Sequence, residues 1–309
     1  MKRKIIIISG PTAIGKSDLA VKLAKRFNGE VVGADSMQIY KGMNIGTGKI
    51  TSKEADGIIH RLIDIINPDE SYSAGKFVED AEREIADVPS EKLPIVVGGT
   101  GLYINALING MNLSGAEANL EIRNKWKGAV AEKGLDYVYG KLVEIDPKSA
   151  EKTQKTDEKR IIRALEIYET TGKPKSLTSM SGDCKFDYLF IILTAPRDLL
   201  YSRINARVQK MFDCGFIKEV SGLTDYDGCQ SMQAIGYKQI LECLKSGSVN
   251  NEQIGLLVED VRKLSRNYAK RQLTFLRGIR SPRKCYIDFD KTDVAFDLVD
   301  CFLKEENLK

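Results

Sequence analysis

Histidine is nearly missing from this chain: His60 is the only one among 309 residues. A Ser-His-Asp triad would need it, and a multi-histidine metal site is excluded. Proton chemistry near neutral pH therefore falls to a carboxylate, lysine, tyrosine or water. The six cysteines (Cys184, Cys214, Cys229, Cys243, Cys285 and Cys301) form no CxxC pair and all lie in the second half. In a chain of this length they read as reduced cytosolic thiols, not as a disulfide framework or a zinc site. No apolar run reaches the length of a membrane span. The opening Met1-Lys2-Arg3-Lys4 is basic, but a phosphate loop follows it, which argues against a signal peptide. A cytoplasmic protein is the expectation.

The composition is that of an ordinary globular protein, with 42% apolar and 29% charged residues. Its length allows one large domain or two modest ones. Lys4 to Ser9 is a β-branched run that reads as a buried strand, and Ser17 to Phe27 carries an apolar helical face. Glu30 to Asp35 reads as a second strand ending in an acid. "HRLIDII" suggests a short edge strand, Tyr72 to Ala86 a helix, and "LPIVVGGTGLY" a strand entering a glycine turn. Strands alternating with helices predict a parallel α/β sheet. From Asn112 to Cys184 helical patterns dominate, at Leu120 to Lys133, Leu135 to Ile145 and Asp157 to Thr171. Phe186 to Pro196 resumes as a core strand, the region to Leu308 is mainly helical, and "KCYIDFD" suggests a last strand. The simplest organisation is a catalytic core of residues 1–111 and 186–309, with residues 112–185 inserted as a helical module.

Gly10-Pro11-Thr12-Ala13-Ile14-Gly15-Lys16-Ser17 fits G-x-x-x-x-G-K-[ST] and sits between a strand and a helix, as that motif requires. Its glycines let the backbone wrap a phosphate, Lys16 adds charge, and the Ser17 hydroxyl can reach Mg2+. Asp35 in "GADSMQIY" falls at a strand end, where open α/β sheets bind ligands. A base, a turn or N-cap acid and a ligand of magnesium-bound water are its open roles. "PIVVGG" has no closing aspartate of the kind many phosphate-loop ATPases carry, which weakens an ATP-hydrolysing reading. Gly98-Gly99-Thr100-Gly101 follows that strand and either lines the same cleft or packs as a tight turn.

Arg160 and Arg163 share a helix face, as do Arg203 and Arg207, whose i, i+4 spacing suits a diphosphate; solvated surface charge is the default for both pairs. Between Val261 and Ile287 stand nine basic residues and no acidic one. Arg262, Arg266 and Lys270 form a stripe there, interleaved with Tyr268 and Phe275. Such a segment favours a surface facing RNA.

With these features in hand, the sequence resembles the tRNA dimethylallyltransferases, the bacterial-type tRNA isopentenyltransferases. The blocks that carry the resemblance are "GPTAIGKS", "GADSMQIYKGMNIGTGK", "HRLIDI", "YSAGKF", "PIVVGGTGLYINAL", "RIIRALEIYETTGKP", "QAIGYKQ" and "YAKRQLTFLR". The family's double histidine is His60-Arg61 here, its H-P-N-D block is Gln154-Lys155-Thr156-Asp157, and its "TWFR" is Thr274-Phe275-Leu276-Arg277.

The resemblance implies a phosphate-loop core that binds the diphosphate of dimethylallyl diphosphate rather than ATP. The prenyl group would go to N6 of an adenosine beside the tRNA anticodon. Carried over by position, Gly10 and the segment Thr12, Ala13, Ile14, Gly15, Lys16 and Ser17 would cradle the diphosphate, with Ser17 on Mg2+. Asp35 would be the general base, Asp35, Ser36, Met37 and Gln38 would hold the adenine, and Thr100 would lie near the reacting centre. Arg123 and the stretch Lys159, Arg160, Ile161, Ile162 and Arg163 would contact tRNA, and the basic stripe read above adds Arg266 and Lys270 to them. Arg203 or Arg207, preferably Arg207, would add diphosphate contacts. A monomer is expected because the acceptor is itself large. A free-nucleotide isopentenyltransferase, a small-molecule kinase with Asp35 deprotonating a hydroxyl, and a non-catalytic RNA-binding protein remain the alternatives.

Overall fold

The computed structural model describes residues 2–111, 119–178, 182–247 and 250–304. The chain opens with β1 (Lys4–Ser9), α1 (Lys16–Arg26), β2 (Gly29–Gly33), α2 (Ser52–Ala55), β3 (His60–Arg61), α3 (Ala74–Asp87), β4 (Leu93–Gly98) and α4 (Gly101–Ile108). Five helices follow: α5 (Leu120–Lys133), α6 (Leu135–Ile145), α7 (Pro147–Glu151), α8 (Glu158–Thr171) and α9 (Lys175–Thr178). The chain continues through β5 (Asp187–Thr194), α10 (Arg197–Asp213), α11 (Phe216–Ser221), α12 (Tyr237–Lys245), α13 (Asn251–Gly278), β6 (Lys284–Asp288) and α14 (Thr292–Leu303). The expected start of the inserted segment, at residues 112–118, and the helical end expected at residues 305–308 lie outside the described residues.

All six strands join one sheet in the order β3-β2-β4-β1-β5-β6, and every pairing is parallel. This is a phosphate-loop α/β sheet. Its strands read as unbroken apolar runs because both faces are covered. Ile6 and Ile8 pack with Leu19, Leu23, Leu200 and Ala269 on one side. Ile5 and Ile7 point the other way and are equally buried. The chain leaves β1 to one side through β2 and β4, then crosses to β5 on the other. The carboxyl end of β1 is thus a switch point, where such sheets bind ligands.

Two compact units emerge. The first comprises Met1–Tyr72, Phe77–Asn105 and Lys185–Lys309, and the second Ser73–Lys76 and Ala106–Cys184. The second unit has its own core, in which Val138, Leu142, Ala150, Ile161, Ala164 and Leu165 cluster. Its helix α8 begins where Asp157 caps the Arg160 N–H at 3.1 Å and ends at Gly172 in a left-handed conformation. In the first unit, Arg61 pairs with buried Glu30 at 2.8 Å and with Glu84 at 3.1 Å. At that position the arginine anchors the sheet edge.

Candidate active site

The phosphate loop leaves β1 at Gly10 and runs into α1, with Ala13 at φ 63° and Gly15 at φ 102°. Positive dihedrals of this kind occur in backbone nests, whose successive N–H groups can converge on an anion. Gly15 has no side chain to cap α1, so the N–H groups of its first turn have no partner within the helix. A bound anion would satisfy them.

Three cations surround this loop. Lys16 Nζ donates to the Pro11 carbonyl at 2.8 Å. Arg203 Nε donates to the Ala13 carbonyl at 2.9 Å, with its guanidinium 4.7 Å from the centre of the Phe289 ring. Arg207 donates to the Thr12 hydroxyl at 3.2 Å and to the Thr47 carbonyl at 3.0 Å. These partners are neutral oxygens, so the positive charge stays available for an anion. Burial, reinforced by the charge of Arg207 and opposed by that of Asp35, lowers the Lys16 pKa to about 8. Burial also lowers the Arg207 pKa, again against Asp35. The structure therefore brings both Arg203 and Arg207 to the loop.

Asp35 stands two residues beyond β2, whose last paired residue is Gly33, so the expected strand ends short of the acid. One carboxylate oxygen accepts the Met37 N–H at 2.9 Å and shapes the turn that follows. The Thr100 hydroxyl accepts the Ser36 N–H at 3.0 Å and donates to the Ser36 hydroxyl at 3.3 Å. The glycine before that loop makes the join possible: a Cβ on Gly98 would lie 1.9 Å from the Ala34 carbonyl oxygen. Gln38 donates to the carbonyls of Thr47 and Gly48, both at 3.2 Å. The segment from Asp35 to Gln38 is thus tied to the loop after β4 on one side and, on the other, to the Thr47–Gly48 loop that Arg207 also reaches.

Burial first, then the charge of Asp35, pushes the Tyr268 phenol up. Thr12 is fully engaged, its hydroxyl by Arg207 and its N–H by Gln272 at 2.9 Å. The loop N–H groups left open to an anion consequently begin at Ala13. Two side chains that hold this site together escaped the sequence reading. Gln272 and Glu219 carry no motif chemistry of their own, although "YAKRQLTFLR" contains the first.

The stripe of Arg262, Arg266 and Lys270 lies along α10 instead of standing free. Arg262 donates to Gln209 at 2.7 Å, Arg266 donates to Asn205 at 2.7 Å, and Lys270 sits 6.0 Å from the Tyr201 ring. Both stripes repeat every four residues and run in opposite directions, so the i, i+4 spacing reports a helix seam. Lys270 keeps solvent exposure, as do Lys263, Arg271 and Arg277, whereas Arg266 is half-buried.

In the second unit, Glu166 is completely buried and gathers three donors. It accepts Arg123 Nε at 2.9 Å, the Asn119 N–H at 2.7 Å and Arg163 Nη1 at 2.7 Å. Burial by itself would raise its pKa, but Arg163, the Asn119 N–H and Arg123 outweigh that and hold it low. Ile161 and Ile162 are 0% and 4% exposed, so their side chains belong to the core and offer nothing to RNA. Among the stretch carried over as RNA contacts, Lys159 and Arg160 are exposed.

Among the described residues no group of three or more His, Cys, Asp or Glu could hold a metal ion, and no helix is long and apolar enough to cross a membrane. Residues 38–279 match the family described as IPP transferase. The chain is 45% identical over 283 residues to the tRNA dimethylallyltransferase of Oceanobacillus iheyensis, covering 90% of this chain and 89% of that protein. It superposes on the crystal structure of the tRNA isopentenylpyrophosphate transferase from Bacillus halodurans with a TM-score of 0.71, at 40% identity and 98% coverage of each chain. A eukaryotic dimethylallyltransferase solved acting on tRNA gives a TM-score of 0.82 at 29% identity, covering 99% of this chain and 81% of that one. With the family model spanning most of the chain and a relative 45% identical over 90% of it, the chain belongs to the IPP transferase family.

Proposed function

We propose that this chain transfers the dimethylallyl group of dimethylallyl diphosphate to N6 of the adenosine at position 37 of tRNA, 3′ of the anticodon, and releases diphosphate. The observation that carries this reading is geometric: Arg207 reaches the Thr12 hydroxyl of the phosphate loop and the Thr47 carbonyl, and that same carbonyl accepts Gln38 of the segment that begins at Asp35. An anion cradle and a candidate base therefore meet at one sheet edge. The relatives named tRNA dimethylallyltransferase support the same reading.

An adenine amino group is a weak nucleophile because its lone pair is delocalised into the ring. The allylic C–O bond must therefore be well broken as the N6–C bond forms. Lys16, Arg203, Arg207 and the N–H groups from Ala13 to Ser17 stabilise the departing diphosphate. N6 becomes acidic as it attacks, and the Asp35 carboxylate takes its proton. Thr100 holds Ser36 and so orients the segment from Asp35 to Gln38 that receives the base.

Ser17 fits Mg2+, since its hydroxyl lies in the first turn of α1 beside the cradle, and this ion takes few protein oxygens when substrate phosphates and water supply the rest. Bound there, Mg2+ would add charge neutralisation to the leaving diphosphate. The adenosine must leave its stack to reach a cleft. The exposed cations of α13 hold the surrounding stem-loop. In the second unit, Lys159 and Arg160 are exposed cations available to RNA, while Arg123 and Arg163 are fixed by Glu166. The large acceptor makes a monomer sufficient.

The test is incubation of the purified protein with labelled dimethylallyl diphosphate and unmodified tRNA, alongside AMP as acceptor and ATP as phosphoryl donor. Label in tRNA adenosine is the expected result. Prenylation of AMP alone, or phosphoryl transfer from ATP with tRNA untouched, overturns it.

A further inference from the structure

A single buried amide bridges the two loops on which this chemistry rests. Gln272 lies on α13 and is 6% exposed. Its Oε1 accepts the Thr12 N–H at 2.9 Å, and its Nε2 donates to the Gly99 carbonyl at 2.8 Å. Thr12 lies in the phosphate loop directly before Ala13, where the N–H groups open to the diphosphate begin. Gly99 immediately precedes Thr100, whose hydroxyl holds Ser36 beside Asp35. A Cβ on Gly99 would meet Gln272 Nε2 at 2.4 Å and stand 3.6 Å from Lys16 Nζ. Glycine admits the amide there, and Gln272 and Lys16 crowd the same few atoms.

We infer that Gln272 is a positioning residue that sets the spacing between the seat of the leaving diphosphate and the loop carrying the acceptor side. This rests on the prenyl-transfer reading above. Both amide ends are satisfied by loop backbone, one from each side of the reaction, and the Tyr268 phenol one turn earlier on α13 also bonds the amide. Ordinary packing would not require that pairing; an apolar side chain of the same volume would fill the space. A displacement tolerates little misalignment between its entering and leaving atoms, and an error near 1 Å costs on the order of a hundredfold. The bridge therefore acts on turnover more than on the binding of either ligand. Diphosphate affinity resides in Lys16, Arg203, Arg207 and the loop amides, none of which Gln272 replaces.

The experiment compares the wild-type protein with Gln272→Met and Gln272→Glu. Met keeps the volume and removes both hydrogen bonds; Glu keeps an acceptor for Thr12 but sets a carboxylate oxygen against the Gly99 carbonyl. Steady-state prenylation of tRNA is measured with calorimetry of inorganic diphosphate binding and thermal unfolding. We expect kcat to fall at least tenfold in both variants, with the diphosphate Kd changed by less than threefold. Should the Met variant fail to fold, the Glu variant is judged by the same criterion. Unchanged kcat in a folded variant overturns the inference, as does an equal loss of kcat and diphosphate affinity, which would make Gln272 a binding residue. A wild-type protein that does not prenylate tRNA refutes the parent reading instead.

Discussion

Tyr237 donates its phenolic proton to Glu219 at 2.5 Å, and the same carboxylate accepts three consecutive backbone N–H groups. These come from Asn44 at 2.9 Å, Ile45 at 2.7 Å and Gly46 at 3.1 Å. Just beyond them, the Thr47 carbonyl accepts Arg207 and Gln38. One acid thus pins the loop that seats both a candidate diphosphate cation and the candidate base-holding segment. Glu219→Gln places an amide NH2 against donors and should destabilise the protein by about 2 kcal/mol. It should also raise the KM for dimethylallyl diphosphate. Urea unfolding checks the first effect, and unchanged stability would mean that the loop is held by other contacts.

Gly48 sits at φ 58°, and a Cβ there would lie 2.1 Å from Arg207 Nη2. Gly48→Ala should therefore push the guanidinium off the loop without deleting its charge. Charge-assisted hydrogen bonds of this kind contribute about 1.5–3 kcal/mol, so diphosphate affinity should fall roughly tenfold or more, as in Arg207→Gln. Calorimetry with inorganic diphosphate reads this directly. Affinity like that of the wild-type protein would remove Arg207 from the cradle.

Asp35→Asn preserves the acceptor for the Met37 N–H but removes the base. Turnover should drop about 10²- to 10⁴-fold while tRNA affinity changes little. Parallel losses in single-turnover rate and tRNA binding would instead make Asp35 a residue that holds the adenine.

Lys16 supplies a pH signature. Its folded value of about 8 lies below the unfolded value of 10.5, so between these pH values the unfolded chain carries more protons. Stability from this group therefore rises with pH across that window, and below about pH 8 the penalty of burying the charge is constant. A diphosphate bound beside Lys16 favours the ammonium, so binding at pH 9 should take up a proton and weaken as pH rises further. Calorimetry in buffers of different ionisation heat measures that uptake, with Lys16→Met subtracting the ligand's own titration. Equal uptake in both proteins would contradict the assignment.

Helix α13 presents two kinds of cation. Lys270 and Arg277 face solvent, whereas Arg266 is bonded to Asn205. Lys270→Gln with Arg277→Gln should weaken tRNA binding and flatten its salt dependence by about one to two counterions. Arg266→Gln should cost stability and leave the salt slope alone. The reverse pattern would place the inner stripe, and not the outer one, against RNA.

Local chemistry wrote much of this molecule into its sequence. Leu120–Lys133 and Leu135–Ile145 form helices over the limits their helical patterns suggest, and Lys4–Ser9 is a strand over its whole expected length. Gly15, Lys16 and Ser17 stand where strand, turn and helix signals put them. Such features depend on neighbours within a turn or two, and side-chain periodicity records them. The stripe of Arg262, Arg266 and Lys270 was visible as well, but its partner was not. Spacing shows that three residues share a face, not whether water, RNA or another helix covers it.

The sequence by itself determined the parallel sheet and the phosphate loop, because glycine conformation, unbroken apolar strand runs and helical periodicity are local properties. Only the tertiary structure decided that Gln272, 260 positions from Thr12, would occupy a loop N–H, and that Glu219 would close on Asn44 across 175 positions. Contacts of that separation arise when remote segments pack against one sheet edge, and no pattern within either segment encodes its partner.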